Sequence, residues 1–106
     1  MKPITSFEEF LSVWKRHSDS EFLAFEKINM PPFKAADLCG LARAYKFVDE
    51  ARQHQDIVSH SGHDELTINL CAQEAVDNGI TEADIIYLLR CGIRYEENND
   101  SFCMFT

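Results

Sequence analysis

The chain has 106 residues, 45% of them hydrophobic, and its 10 basic and 18 acidic side chains give a formal net charge of −8. This length fits one domain, and the apolar content is too high for a disordered chain. The acidic balance disfavours nucleic acids and anionic membranes as partners, because both are bound mainly through clustered Lys and Arg. We therefore expect a single compact domain over residues 1–106 that binds neither.

The sequence carries no signal for a membrane span or for secretion. No apolar run approaches the length that crosses a bilayer, and residues 1–6 contain no apolar stretch. Both observations predict a cytoplasmic protein, in which thiols stay reduced. We therefore expect reduced thiols at the four cysteines, which are Cys39, Cys71, Cys91 and Cys103.

Helical periodicity dominates the first half of the chain. Ser6 and Glu9 have the spacing of a capping box ahead of an apolar stripe, which predicts a first helix. A longer helical pattern runs from about residue 32 to 55, and Gly40 inside it suggests close packing of another helix. Residues 21–30 fit either a short helix or a buried strand, because short apolar runs do not distinguish the two.

The middle of the chain begins with a polar stretch. Residues 55–62 are polar and contain two serines and a glycine, which predicts a loop, and a helix is expected to begin near residue 63. That helix should end at Gly79, which can adopt the left-handed C-cap conformation. Thr81 then caps a short, deeply buried helix that stops before Gly92.

The last stretch changes to a strand pattern. Two apolar segments flank Asn98-Asn99-Asp100, whose residues tolerate positive φ, so a β-hairpin is predicted. The expected fold class is therefore α+β and predominantly helical, with four to five helices followed by a C-terminal antiparallel β-hairpin.

The predicted hairpin also suggests a partner surface. Both faces of its final strand are apolar, and a strand that ends a chain is a natural sheet edge, which invites pairing. We expect a homodimer or a protein partner to cover this edge; alternatively, residues 22–28 or 56–59 supply a covering strand. The candidate interface residues are Tyr95, Phe102, Met104 and Phe105.

Residues 71–90 match the spacing of a helix-turn-helix of the DNA-binding type. A small residue, a turn glycine and three apolar residues stand at the expected places. The second helix, however, offers Glu82, Asp84 and Tyr87 where a DNA reader needs groups that contact bases and phosphates. We therefore expect a structural helix pair. Its key positions are Ala75, Gly79, Ile80, Ile85 and Leu88.

The stretch from residue 77 to 96 also resembles the beginning of small toxin-like domains related to the BrnT and RelE ribonuclease toxins. The likeness lies in the order helix, Gly-Ile-Thr, short helix, glycine and hairpin, and covers less than half of the chain. Those domains carry a His and Arg residues on the first helix. Leu70, Glu74 and Asn78 stand there in this chain, so the resemblance implies a similar local topology and no active-site residue.

One histidine-rich stretch could bind a metal ion. His60 and His63, with Asp64 beside them, supply ligand types that suit a divalent metal, although their spacing matches no established zinc pattern. The alternative is a polar loop that is rich in histidine by chance. No other cofactor is expected, because the four glycines are isolated and form no phosphate-binding loop.

The function expected from these features is a small non-enzymatic protein-interaction or regulatory accessory protein. The first alternative is a metal-dependent enzyme or metal-binding protein that uses His60 and His63. The second is a toxin-like or helix-turn-helix domain associated with nucleic acid.

Overall fold

A computed structural model of the chain describes residues 2–24, 27, 36–53, 58–61 and 65–105. Four α-helices and four β-strands lie within these ranges, which confirms the α+β class. The helices are α1 (Phe7–Glu21), α2 (Ala36–Tyr45), α3 (Ala72–Asp77) and α4 (Glu82–Arg90), with a 3₁₀ helix at Glu50–Arg52. The strands are β1 (Val58–Ser61), β2 (Glu65–Ile68), β3 (Ile93–Glu96) and β4 (Ser101–Phe105). Half of the undecided segment 21–30 lies outside the described residues.

The four strands form one antiparallel sheet in the order β1-β2-β4-β3. The predicted C-terminal hairpin is confirmed as β3 and β4. Phe102 in β4 lies opposite Ile68 of β2 on one side and opposite Tyr95 of β3 on the other. The expectation that the final strand forms a sheet edge was therefore wrong, because β2 of the same chain covers it.

The strands β1 and β2 replace a predicted loop and the start of a predicted helix. Ile68 and Ala72 are both buried and lie four residues apart, which is also the spacing of a helix face. That coincidence made a strand residue look like part of the predicted helix. The helix α3 in fact begins only at Ala72, where the Cys71 sulfur accepts a hydrogen bond from the Glu74 N–H at 3.4 Å. Pairing with β4 decides the strand conformation, and local spacing could not reveal that pairing.

The helix boundaries set by capping residues agree with their sequence signals. Ser6 accepts from the Glu9 N–H at 3.1 Å, and Thr81 and Asp84 form a reciprocal capping box. Gly79 has φ +90°, and hydrogen bonds from Gly79 to Val76 and from Ile80 to Ala75 complete a Schellman motif. These local contacts explain why α1, α3 and α4 end or begin where they do.

The long helix predicted over residues 32–55 is shorter in the structure, because α2 ends at Tyr45. The chain then turns so that Phe47 and Val48 both enter the core, with the Phe47 carbonyl accepting from the Asn78 side chain at 3.0 Å. The predicted close packing at Gly40 does occur. A Cβ added there would lie 2.8 Å from the Cβ of Cys91, which follows α4.

The core lies between α1, α4 and one face of the sheet. Phe102 stands at its centre, with its ring centroid 5.9 Å from that of Phe10 and 5.5 Å from that of Trp14. Phe10 also meets Tyr95 edge-on at 5.1 Å. This aromatic cluster fixes α1 against the hairpin.

Two of the four predicted interface residues therefore belong to the core. Phe102 is fully buried, and Met104 is 5% exposed. Tyr95 is half-buried, with its hydroxyl donating to Asp100 at 2.5 Å. The backbone of Phe105 pairs with Glu65, and its side chain lies outside the described residues. None of the described helices is long and apolar enough to cross a membrane.

Candidate functional site

The five arginines of the chain all form ion pairs with carboxylates. Most of these pairs join elements that are distant in sequence. Arg43 of α2 meets Asp84 of α4 at 2.8 Å, and Arg90 of α4 meets the buried Glu21 of α1 at 3.0 Å. The remaining pairs are Arg16–Glu82, Arg52–Glu74, Arg94–Glu65 and Arg94–Glu96.

The ion pair between Arg90 and Glu21 shows how this pairing affects the pKa of a carboxylate. The Arg90 guanidinium donates to both Glu21 carboxylate oxygens, and Lys27 lies 3.4 Å from one of them. The hydrogen bond from Arg90 holds the pKa of Glu21 below its usual range despite burial, with a smaller contribution from Lys27. Both partners therefore stay charged at neutral pH and fix the end of α1 on α4.

The polar side chains of α4, the second helix of the pair with helix-turn-helix spacing, also form ion pairs within the fold. Glu82 accepts from Arg16 at 2.7 Å and from His17 Nε2 at 2.6 Å, and these bonds lower its pKa, His17 contributing most. Asp84 is held by Arg43, whose guanidinium also lies 4.0 Å from the Tyr87 ring centroid. The polar side chains that α4 would offer to a nucleic acid thus bind its neighbouring helices.

A groove of about 620 Å³ lies where the N-terminal segment, α1 and the start of α4 meet. Its charged lining residues are Lys2, Glu9, Arg16 and Glu82, so positive and negative groups balance. The Glu9 carboxylate already accepts from the Thr5 N–H at 2.8 Å. The groove therefore presents no excess of one charge to a ligand.

The face of the sheet opposite the core carries a second charged cluster, which we call the outer sheet face. Strand alternation places Glu65, Thr67, Arg94, Glu96, Ser101 and Cys103 on it. Arg94 bridges Glu65 and Glu96, and the Cys103 thiol is 1% exposed beneath them. The Ser101 hydroxyl is buried and has no hydrogen-bond partner among the described residues.

The Cys103 thiol of this cluster and the Cys91 thiol at the end of α4 both have raised pKa values. Burial raises the pKa of Cys103, although Arg94 opposes the shift. Burial also raises the pKa of Cys91 to about 12. A thiol attacks as its thiolate, and a raised pKa leaves little of that form at neutral pH.

The predicted metal site falls mostly outside the described residues, which exclude His63 and Asp64. The backbone of His60 lies in β1 opposite Thr67 rather than in a loop, so the loop prediction over residues 55–62 was wrong there. Within the described ranges, no three His, Cys, Asp or Glu side chains gather as a metal site would need. Metal binding by His60, His63 and Asp64 stays a prediction.

Composition shows that carboxylates are in excess, but only the structure shows which of them are exposed. Among the described residues, several acidic side chains are exposed and form no ion pair, including Glu8, Asp19, Glu50 and Asp77. The alternation of Glu65-Leu66-Thr67-Ile68 was the available signal for the outer sheet face, but it spans only four residues.

Searches found no matching family model, curated protein or solved structure.

Proposed function

We propose that this chain is a non-enzymatic interaction domain whose carboxylate-rich surface binds a cationic protein partner. The pairing of all five arginines carries the proposal. A phosphate-binding protein needs free guanidinium or ammonium groups, and here the guanidiniums already hold carboxylates. The net charge of −8 therefore lies on the carboxylates that do not pair with an arginine.

The exposed carboxylates lie on separate elements of the fold. Glu8 and Asp19 stand near the two ends of α1, Glu50 opens the 3₁₀ helix, and Asp77 ends α3. A distributed negative potential of this kind steers positively charged proteins and repels negatively charged ones. It supports a partner with Lys and Arg on its surface, rather than a second copy of this acidic chain.

The state of the nucleophilic groups supports a non-enzymatic role. Two of the thiols are buried with raised pKa values, and the Tyr95 hydroxyl, whose pKa burial also raises, donates to Asp100. Asp100 in turn accepts from the Ala72 N–H at 3.0 Å, so this hydroxyl–carboxylate pair fixes the start of α3 on the hairpin turn. These groups stabilise the fold.

The proposal is tested with a fluorescent oligolysine peptide and a fluorescent single-stranded oligonucleotide, followed by anisotropy. At about 50 mM salt, where charge contacts are strongest, we expect oligolysine to bind and the oligonucleotide to give no signal. Raising the salt should weaken oligolysine binding because of screening. Binding of the oligonucleotide, or no binding of oligolysine, would contradict the proposal.

Matched charge reversals give the control. The double variant Glu50→Lys/Asp77→Lys reverses two negative charges near the end of α3. The double variant Glu8→Lys/Asp19→Lys reverses the same number on α1. None of the four side chains belongs to an ion pair among the described residues, so both variants should fold. We expect each to weaken oligolysine binding several-fold. Unchanged binding in both would show that the carboxylates do not form the contact surface.

A further inference from the structure

The contact between α2 and α4 brings two cysteines of distant sequence together. Gly40 packs on Cys91 so closely that an added Cβ would lie 2.8 Å from the Cys91 Cβ. Cys39 is the neighbour of Gly40 on α2. The Tyr87 hydroxyl, one helical turn before Cys91, lies within hydrogen-bonding reach of the Cys39 thiol. Both thiols therefore face the same contact between the helices.

The surrounding contacts hold the two helices in a defined alignment. Arg43 of α2 pairs with Asp84 and lies over the Tyr87 ring, whereas Gly40, one turn earlier, meets Cys91 after the end of α4. The two helices therefore run in opposite directions, and their alignment fixes Cys39 beside the Cys91 end. Cys39 and Cys91 are 3% and 2% exposed, and neither forms a disulfide in this structure.

We propose that Cys39 and Cys91 form an oxidation-dependent disulfide that links α2 to the end of α4. The absence of a side chain at Gly40 lets the backbone next to Cys39 approach Cys91 closely, and a disulfide requires such a short separation of backbones. The other two cysteines differ in position. Cys103 lies on the outer sheet face, and Cys71 caps α3 through its sulfur.

The oxidant is a low-molecular-weight disulfide such as glutathione disulfide. The Cys39 thiolate attacks one glutathione sulfur, forming a mixed disulfide and releasing one glutathione thiolate. The Cys91 thiolate then attacks the Cys39 sulfur and releases the second glutathione. The two cysteines lose two protons and two electrons, and one glutathione disulfide becomes two glutathiones. Because both thiols are buried, the exchange requires brief separation of α2 from α4, so it is slow.

The experiment uses the full chain carrying Cys71→Ser, since Cys71 is the more accessible thiol and serine is a favoured N-cap residue. The protein is incubated with glutathione disulfide and examined by intact mass spectrometry, peptide mapping and thermal unfolding. We expect the mass of the protein to fall by two hydrogens, and the peptide map to contain a peptide that links residues 39 and 91. The midpoint of thermal unfolding should rise by several degrees.

Single variants in the same background identify the bond. Cys39→Ser and Cys91→Ser should each abolish the two-hydrogen loss, and Cys103→Ser should retain it. Should either serine variant fail to fold, the alanine variant replaces it, and the peptide map of the Cys71→Ser protein decides independently. A cross-link that persists without Cys39, or formation of glutathione adducts only, would overturn the proposal.

Discussion

The inner face of the sheet, which packs on α1 and α4, buries Ile68, Ile93 and Phe102 completely, whereas the outer sheet face carries Arg94 between Glu65 and Glu96. Apolar burial on the inner face supplies large free energies, since each fully buried aromatic or branched side chain contributes about 1.5–3 kcal/mol. Partly exposed ion pairs contribute far less. The difference indicates that the inner face contributes most of the stability of the sheet, and that the ion pairs of the outer sheet face contribute little.

The largest effect should come from the centre of the inner face. Phe102→Ala removes a ring that contacts Phe10, Trp14 and Tyr95, and should lower the free energy of unfolding by about 3–5 kcal/mol. Urea denaturation followed by circular dichroism measures it. Phe102→Leu, which keeps most of the volume, should cost clearly less; equal losses would mean that the ring packing does not matter.

A smaller change on the same face tests whether β2 belongs to the core. Ile68→Val deletes one methylene group from a fully buried side chain opposite Phe102, and should cost about 0.5–1.5 kcal/mol. The same denaturation measurement applies. No loss would indicate that β2 does not cover β4. The final strand would then again be a candidate edge for pairing with a partner.

The outer sheet face should respond weakly. Arg94→Met keeps an apolar stem but removes the bridge between Glu65 and Glu96, whose side chains are 41% and 36% exposed. We expect a loss of about 1 kcal/mol or less, which shrinks further as salt is raised. A loss as large as that of Phe102→Ala would contradict the contrast between the two faces.

The carboxylates that link the helices make the stability of the fold depend on pH. Glu21 and Glu82 have pKa values lowered from the ordinary 4.5, so their pairs stabilise the fold at neutral pH. That stabilisation is lost as pH falls below 4.5 through the folded-state pKa values. Denaturation midpoints at neutral and acidic pH should show the loss, and Glu82→Gln should reduce its size. An unchanged pH profile in Glu82→Gln would exclude Glu82 as a contributor.

The oligomeric state gives a further test of the sheet order. Because β2 covers β4, the final strand offers no free edge for the homodimer expected from sequence. The net charge of −8 also opposes self-association. We expect a monomer at micromolar concentration in sedimentation velocity at physiological salt. A stable dimer would show that another surface, such as the outer edge of β1 or β3, mediates pairing.

Features that depend on local sequence could be predicted, and those that depend on distant pairing could not. Ser6, Gly79 and Thr81 act within a few residues of themselves, and each marks a helix end as expected. The strand β2, by contrast, is decided by its partner β4, more than thirty positions along the chain. Local signals therefore predicted the helix ends and the hairpin, but they did not reveal that β2 covers the final strand.

The candidate surface shows the same limit. The total charge is visible in composition, but the pairing of Arg52 with Glu74, or of Arg94 with Glu65, joins residues with no common local pattern. Sequence reasoning accordingly predicted an acidic protein without identifying which carboxylates remain unpaired. It also predicted four reduced thiols without relating Cys39 to Cys91, because only the packing at Gly40 brings α2 against the end of α4.

The most direct test of the proposed surface is an amide NMR titration of the protein with oligolysine. We expect chemical-shift changes near the exposed carboxylates, represented by Glu8, Asp19, Glu50 and Asp77, and none at the buried inner face around Phe102. The same titration with a single-stranded oligonucleotide should leave the spectrum unchanged. Shifts confined to the groove around Lys2, or any saturable response to the oligonucleotide, would contradict the proposed function.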